Sequence, residues 1–574
     1  MFYMIDREYD VVVVGSGAGG MSAALTAAHR GLSVVIVEKS QYYGGSTARS
    51  GGGVWIPTND ALRNAGPDDL ESARTYLHSI IGDIVDKRRI DTYIDRGPEA
   101  FNFLLRSTPL KMQWVPGYSD YYPEAPGGRA LGRSVEPKPF NTKVLGAEAA
   151  KLEPDFGKAP LNVVVTQADY KWLNLHRRTA RGFVRVLKVG ARTFKAKALG
   201  QRLVGRGQAL ASALRKGVLD ANIPLLLNTP LVELHSDNGV VTGVTVEHEG
   251  EQVLVRARHG VVLATGGFEH NAEMRHQYQR EPITTEWTTG AAGNTGDGIR
   301  AGQKVGGAVA LMEDAWWGPS VPLTGGPWFC LAERNLPGSL IINNRAKRFG
   351  NESAPYVEAV HTMYGGEFGQ GEGEAENIPA WLIFDQRYRN RYIFAGLQPG
   401  QRFPSRWIDK GVVTSAPSIT ELAEKIGVDA KSLGETVSRF NDFAATGVDE
   451  EYRRGDSAYD KYYGDPTNKP NPCLGALVQA PFHAVQIVPG DLGTKGGLVT
   501  DTSGRVLRED ETVIEGLYAC GNSSAPVMGH TYAGPGATIG PALTFGYLAV
   551  LDIVERKAGR GTAAADRTAA LEEN

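Results

Sequence analysis

The chain has 574 residues, more than one ordinary core holds, so two or more domains are expected. Lys and Arg number 61 against 64 Asp and Glu, a formal charge of -3, which excludes a global nucleic-acid footprint. Cys330, Cys473 and Cys520 are scattered, which excludes a disulfide framework and any CxxC metal spacing and fits a reducing cytoplasm; no metal site is expected.

The first strand is predicted over Asp10–Val14, a β-branched run, and Gly15-Ser16-Gly17-Ala18-Gly19-Gly20 follows it. Gly15 allows a tight turn, Gly17 lets backbone approach a pyrophosphate, and Gly20 allows close helix packing. A helix through Ser22–Ala28 closes at Gly31, and a second strand, Ser33–Val37, ends on Glu38. That carboxylate is placed to accept the hydroxyls of an adenosine ribose, while the helix N-terminus faces the diphosphate. Strand, turn, helix, strand and acid together predict a dinucleotide site. The chain enters this unit almost at once, with no signal peptide, and no stretch of 18 uncharged apolar residues predicts a membrane span.

Tyr42-Tyr43-Gly44-Gly45-Ser46-Thr47-Ala48-Arg49-Ser50-Gly51-Gly52-Gly53 is dense enough in glycine and hydroxyls to wrap a planar polar ring. Val54–Pro57 is strand-like, and a charge-rich helical stretch follows over 66–108. Tyr118, Tyr121 and Tyr122 sit in a Pro/Gly-rich segment that forms no long helix, and read either as packing residues or as a pocket wall. Residues 177–206 hold ten Lys and Arg and no acid, interleaved with Phe183, Val184, Leu187 and Phe194. This basic amphipathic pattern fits either an anionic bilayer surface or a helix packed on its own domain.

From 209 the dinucleotide-binding character returns. A helix ends near Asp220, a strand is predicted over Ile223–Leu227, and a β-meander spans Leu231–Val255 with turns at 237–239 and 247–250. A separate strand, Gly260–Ala264, runs into Thr265-Gly266-Gly267, a second close approach of backbone to ligand, and 293–302 opens another helix. The middle region, 280–483, carries Trp316-Trp317 and Gly325–Phe329, a mixture suited to a flat apolar ligand. After 484 come the glycine run 490–497, a strand at 498–500, a strand ending at Gly521-Asn522, and a last helix launched by Gly534–Gly540. Its free N–H groups face a bound cofactor.

These motifs resemble the flavoprotein class of fumarate reductase and succinate dehydrogenase, over essentially the whole chain. The resemblance implies an α/β architecture: a Rossmann-like FAD-binding domain built from N- and C-terminal segments (1–279 and 484–574), with an inserted α+β catalytic domain (280–483). Candidate FAD contacts are Gly15, Ser16, Gly17, Ala18, Gly19, Gly20, Glu38 and Lys39, then Gly44, Gly45, Ser46, Thr47, Ser50, Gly51 and Gly52. Ala264, Thr265, Gly266, Gly521, Asn522, Gly536, Thr538 and Ile539 complete the set. No histidine stands at Ser46–Arg49, where covalent members attach flavin, so FAD is expected to be non-covalent.

Within the class the chain is similar to 3-ketosteroid Δ1-dehydrogenases. The matching segments are Ser46–Pro57, Asn351-Glu352-Ser353-Ala354-Pro355-Tyr356 and Tyr532-Ala533-Gly534-Pro535-Gly536; Ala533 stands where the family usually has Pro. The likeness implies conversion of a 3-keto-4-ene steroid to the 1,4-diene. Tyr532 and the Gly536 N–H would hold the C3 oxygen, Tyr356 would take the C2 proton, and the C1 hydride would pass to FAD. The remaining pocket tyrosine falls on Tyr121, with Tyr118 and Tyr122 as alternatives. A 3-ketosteroid Δ4-(5α)-dehydrogenase and a non-catalytic flavin-binding protein are the competing readings. A quinone or another carrier is expected to take the electrons, since no second dinucleotide fingerprint, iron–sulfur spacing or haem motif is present. The expected location is cytoplasmic, with peripheral contact at the inner face of the cell membrane through 177–206; the oligomeric state is left open.

Overall fold

The computed structural model describes residues 7–572 apart from 64, 67, 156, 158–162, 372 and 376; for Arg7 and beyond residue 559 it describes backbone alone. Strand β1 (Arg7–Val14), helix α1 (Ala18–His29) and strand β2 (Val34–Val37) form the first unit. Val11 to Val14 are buried because β1 lies inside an eight-stranded sheet, parallel to β2 on one side and to the strand Glu251–Leu263 on the other. Strands fully covered on both faces need continuous apolar runs, which is what these stretches supply. Beyond Glu251–Leu263 comes Val513–Ala519, also parallel, so the sheet joins both ends of the chain.

The last strand of the meander and the strand expected at 260–264 are one element. Glu251–Leu263 pairs antiparallel with Val240–His248 through Glu251–Arg256 and parallel with β1 from Val255 to Leu263, with a register shift opposite Tyr9 and Val11. His259-Gly260 offered no turn chemistry strong enough to end it.

Helix α1 lies against the last helix, Ile539–Glu572, at backbone distance. A Cβ on Gly19 would stand 2.8 Å from Cys520 Sγ and 3.1 Å from the Ala542 carbonyl oxygen, and Ser22 Oγ donates to the Leu543 carbonyl at 2.7 Å.

The middle region builds a second, antiparallel six-stranded sheet, ordered Trp328–Phe329, Ala315–Val321, Phe482–Thr494, Ala380–Asp385, Ser339–Ile342, with Val413–Ala416 also on Phe482–Thr494. Most of the glycine run 490–497, to which the sequence pattern assigns no strand, is therefore the second half of a 13-residue strand. Residues 484–494 share the middle sheet; its partner there, Ala315–Val321, accommodates Gly490 opposite Gly318.

The basic stretch forms the helix Ala180–Ala198, packed through Gly182, Val189, Thr193 and Ala196. Its outer face leaves Phe183 58 %, Leu187 56 % and Phe194 76 % exposed. Part of the charge is matched by acids distant in sequence: Arg185 and Arg192 meet Asp169 at 3.0 and 2.5 Å, Arg178 meets Asp465 at 2.8 Å, and Arg206 meets Asp155. Arg181, Lys188, Lys195 and Lys197 carry no ion pair among the described residues. No helix among the described residues is long and apolar enough to cross a membrane.

Candidate active site

One cavity of about 1020 Å³ runs between the two sheets. Its first end is walled by Gly15, Gly17, Ala18, Gly19, Glu38 and Lys39, with Ala264, Thr265 and Gly266 beside Gly15 at the end of the neighbouring strand. Gly17 caps α1 without a side-chain partner, so the helix start faces the cavity with its partial positive charge open to an anion. Lys39 is held by Asp297 and Thr295, both at 2.6 Å.

Gly45, Ser46, Thr47, Ser50, Gly51 and Gly52 line the next stretch; their first part is a short helix, Gly45–Arg49. Thr47 Oγ1 accepts from the Ala18 N–H at 2.9 Å, tying this turn to the start of α1. Gly521, Asn522, Gly536, Thr538 and Ile539 close the cavity from the C-terminal segment.

Ser16, Gly20 and Gly44 do not line it. A Cβ on Gly20 would overlap the Gly15 carbonyl oxygen, so Gly20 serves packing. Ser16 is fully buried, and its N–H and hydroxyl donate to Glu38 Oε2 at 2.9 and 2.7 Å, while the Gly44 N–H donates to Ser16 Oγ at 3.2 Å. Ser16 acts one bond behind the wall and Gly44 two, orienting the carboxylate that faces the cavity. A motif match in the chain does not distinguish a residue that touches a ligand from one that holds the residue that does.

Past this stretch the cavity becomes aromatic. Tyr121, Tyr356 and Tyr532 line it together: ring centroids are 5.3 Å apart for Tyr121–Tyr356, 5.2 Å for Tyr121–Tyr532 and 5.4 Å for Tyr356–Tyr532. Trp316 meets Tyr532 edge-on at 5.1 Å and Phe329 meets Tyr356 at 5.1 Å. Tyr118 also lines the cavity, stacked on Tyr462 at 4.3 Å, whereas Tyr122 turns away and its hydroxyl donates to Glu358.

The tyrosines come from elements remote in sequence, and backbone joins those of Tyr121 and Tyr532. The Tyr121 N–H donates to the Ala533 carbonyl at 3.0 Å, and that carbonyl also accepts from the Tyr76 hydroxyl at 2.7 Å. Trp55 N–H donates to the Gly536 carbonyl at 3.2 Å, and Trp55 Nε1 to Asp120 Oδ1 at 2.8 Å. Gly536 sits at φ +98°, and a Cβ there would overlap the Gly53 carbonyl, so only glycine lets the two turns close on each other. Thr538 Oγ1 donates to the Tyr532 hydroxyl at 3.2 Å. Burial pushes both Tyr356 and Tyr532 above the usual phenol range; contact with Thr538 and Tyr356 opposes this at Tyr532.

Other lining residues were not singled out in the sequence: Gln167, Tyr170, Leu173 and Asn174 on one helix, and Ile393, Ala395–Gln398 and Trp407 on the far wall. Nothing in their local pattern marks them. Asn294 stood within the Gly-rich run 293–302; it donates to Ser46 Oγ at 2.9 Å and to Glu269 Oε1 at 2.6 Å.

The model of the family described as FAD binding domain matches residues 10–539. The 3-oxosteroid 1-dehydrogenase of Mycobacterium tuberculosis (strain CDC 1551 / Oshkosh) is 64 % identical over 98 % of this chain and 100 % of its own. The chain belongs to the 3-oxosteroid 1-dehydrogenase family. A family member from Mycolicibacterium smegmatis is 62 % identical over 99 % of this chain and 100 % of its own. The solved 3-ketosteroid Δ1-dehydrogenase of Sterolibacterium denitrificans, in complex with 1,4-androstadiene-3,17-dione, superposes with a TM-score of 0.90 at 39 % identity, covering 96 % of this chain and all of that one. FAD is the cofactor of this dehydrogenase family member, and the residues fit it. The first end of the cavity joins an open helix start to a carboxylate and is cradled by glycines, and no histidine is among the lining residues, in keeping with non-covalent FAD.

Proposed function

We propose that the chain catalyses FAD-dependent 1,2-dehydrogenation of 3-ketosteroids, taking a 3-keto-4-ene to the 3-keto-1,4-diene. The observation that carries this is the convergence of Tyr121, Tyr356 and Tyr532 within 5.2–5.4 Å on one wall, beside Gly536.

A C2 proton beside a ketone becomes acidic only if the C3 oxygen is stabilised as its negative charge develops. Tyr532 Oη–H and the Gly536 N–H are assigned to that oxygen. Tyr356 is assigned the C2 proton, which passes to its deprotonated oxygen. Burial opposes that anion, so Tyr121, whose ring meets Tyr356 edge to face, is assigned to donate to it. Trp316 and Phe329 exclude water and hold the flat ring system. FAD, when bound, supplies the chemistry of accepting the hydrogen at C1 with its electron pair.

Anaerobic addition of androst-4-ene-3,17-dione to the FAD-loaded protein should bleach the yellow colour and yield the 1,4-diene. No bleaching by the 4-ene, with bleaching by a 5α-saturated 3-ketone, would transfer the assignment to Δ4-(5α)-dehydrogenation. No bleaching by either would leave a flavin-binding protein without this activity.

Three further readings belong to the same proposal. Segments 1–279 and 484–574 form the FAD-binding domain and 280–483 the catalytic domain, with Tyr121, Tyr532 and Gly536 reaching the substrate from the FAD-binding segments. The electrons pass to a quinone or another carrier. The protein is cytoplasmic and touches the inner face of the membrane through 177–206, where exposed Phe183, Leu187 and Phe194 lie among Lys188, Lys195 and Lys197, which carry no ion pair among the described residues.

A further inference from the structure

Behind the aromatic wall lies a buried ionic cluster that the assignments above leave unused. Asp314 Oδ2 stands 2.9 Å from Lys495 Nζ, and neither side chain has any solvent exposure. His530 Nδ1 lies 3.0 Å from the same oxygen, and His361 Nε2 lies 3.0 Å from Oδ1. Oδ1 also accepts from the Ala315 N–H at 2.8 Å and from Trp317 Nε1 at 2.7 Å. Every lone pair of this carboxylate therefore meets a donor, with His361 protonated on Nε2 and His530 on Nδ1. Burial alone would raise its pKa; the Lys495 ammonium and His361 hold it well below the carboxylate range.

Asp314 and its two histidine partners sit on three different elements, each carrying one ring of the cavity wall. His361 lies on the helix Tyr356–Tyr364, whose first residue is Tyr356. His530 is two residues before Tyr532, and its carbonyl accepts from Lys495 Nζ at 2.5 Å. Asp314 itself stands two residues before Trp316, whose ring lies 5.0 Å below Lys495 Nζ and meets Tyr532 edge-on. A buried charge removed from water is tolerated only when fully paired, and such a pair holds its partners in one geometry.

We propose that Asp314 is a positioning residue for the dehydrogenation, fixing Tyr356 relative to Tyr532 through His361 and His530. This rests on the assignment of Tyr356 and Tyr532 made above. Misplacing a reacting group by about 1 Å costs about 10²-fold in rate, so loosening one anchor has a measurable effect.

The test is a double-mutant cycle on the FAD-loaded protein, reading the anaerobic rate of FAD reduction by androst-4-ene-3,17-dione. His361→Gln, which keeps the Asp314–Lys495 pair, should slow reduction about ten-fold or more, with FAD content and visible spectrum retained. In the Tyr356→Phe background the same change should cost less than about two-fold, because Tyr356 no longer needs placing. His530→Asn with Tyr532→Phe should behave alike. Asp314→Asn strands the Lys495 charge and can fail to fold, so the histidine variants decide. Full multiplication of the two single effects, or an unchanged rate in His361→Gln, overturns the positioning role alone. An unchanged rate in Tyr356→Phe overturns the underlying assignment, and this inference with it.

Discussion

Tyr121 and Tyr532 lie with ring centroids 5.2 Å apart and planes inclined by 23°, and Tyr356 meets Tyr121 edge to face at 78°. Three phenols thus share one buried wall, supplied by a Pro/Gly-rich loop, the first turn of a helix and the turn before the last helix. Tyr356→Phe is expected to slow FAD reduction by steroid about 10²-fold or more, the scale for losing a general base. Tyr532→Phe should cost a similar factor by removing one donor to the C3 oxygen. Stopped-flow absorbance of the flavin measures both; a normal rate in Tyr356→Phe assigns the proton elsewhere.

Acid precipitation should leave yellow chromophore in the supernatant. The basis is a cavity lining without histidine, with Cys520 buried and its thiol pushed up to about 12, out of reach of thiolate chemistry at neutral pH. Colour remaining on the denatured chain would contradict this.

Glu269 gives a pH prediction. Burial, followed by the neighbouring Asp491 charge, pushes its carboxyl up to about 7, against donation from Asn294 at 2.6 Å. The folded state therefore holds this proton more tightly than the unfolded chain. Its contribution to stability is full below the ordinary carboxylate range near 4.5 and is lost as pH rises toward about 7. Glu269→Gln should flatten the dependence of the thermal midpoint between those values. Parallel curves for the variant and the parent would show that Glu269 does not carry it.

Vesicle binding tests the basic helix. Phe183→Ser, Leu187→Ser and Phe194→Ser together should abolish co-sedimentation with anionic liposomes at low salt, and raised salt should weaken the parent. Each unpaired lysine contributes roughly 1 kcal/mol at an anionic surface. Failure of the parent itself to sediment would end the membrane reading.

Steady-state assays with a quinone analogue, a dye and NAD⁺ test the electron acceptor. Turnover is expected with the quinone analogue and the dye, and efficient NAD⁺ reduction would count against the quinone reading.

The sequence by itself determined the first βαβ unit, the glycine turns, Glu38, the last helix and the family, because each rests on residues close together in the chain. Strand period, helix capping and turn glycines are short-range rules, legible wherever the local pattern is strong. It read the packing role of Gly20 but did not separate Ser16 and Gly44 from true wall residues, since contact and support differ by one or two hydrogen bonds in space. Nor did it reveal that Glu251–Leu263 is one strand or that 490–494 belongs to the middle sheet, because pairing partners decide both. Only the tertiary structure chose Tyr118 and Tyr121 over Tyr122 for the cavity, matched Arg185 and Arg192 with Asp169, and brought Asp314, His361, Lys495 and His530 together. A buried charge is stable only among partners that a folded core assembles from distant segments, and no local pattern encodes that assembly.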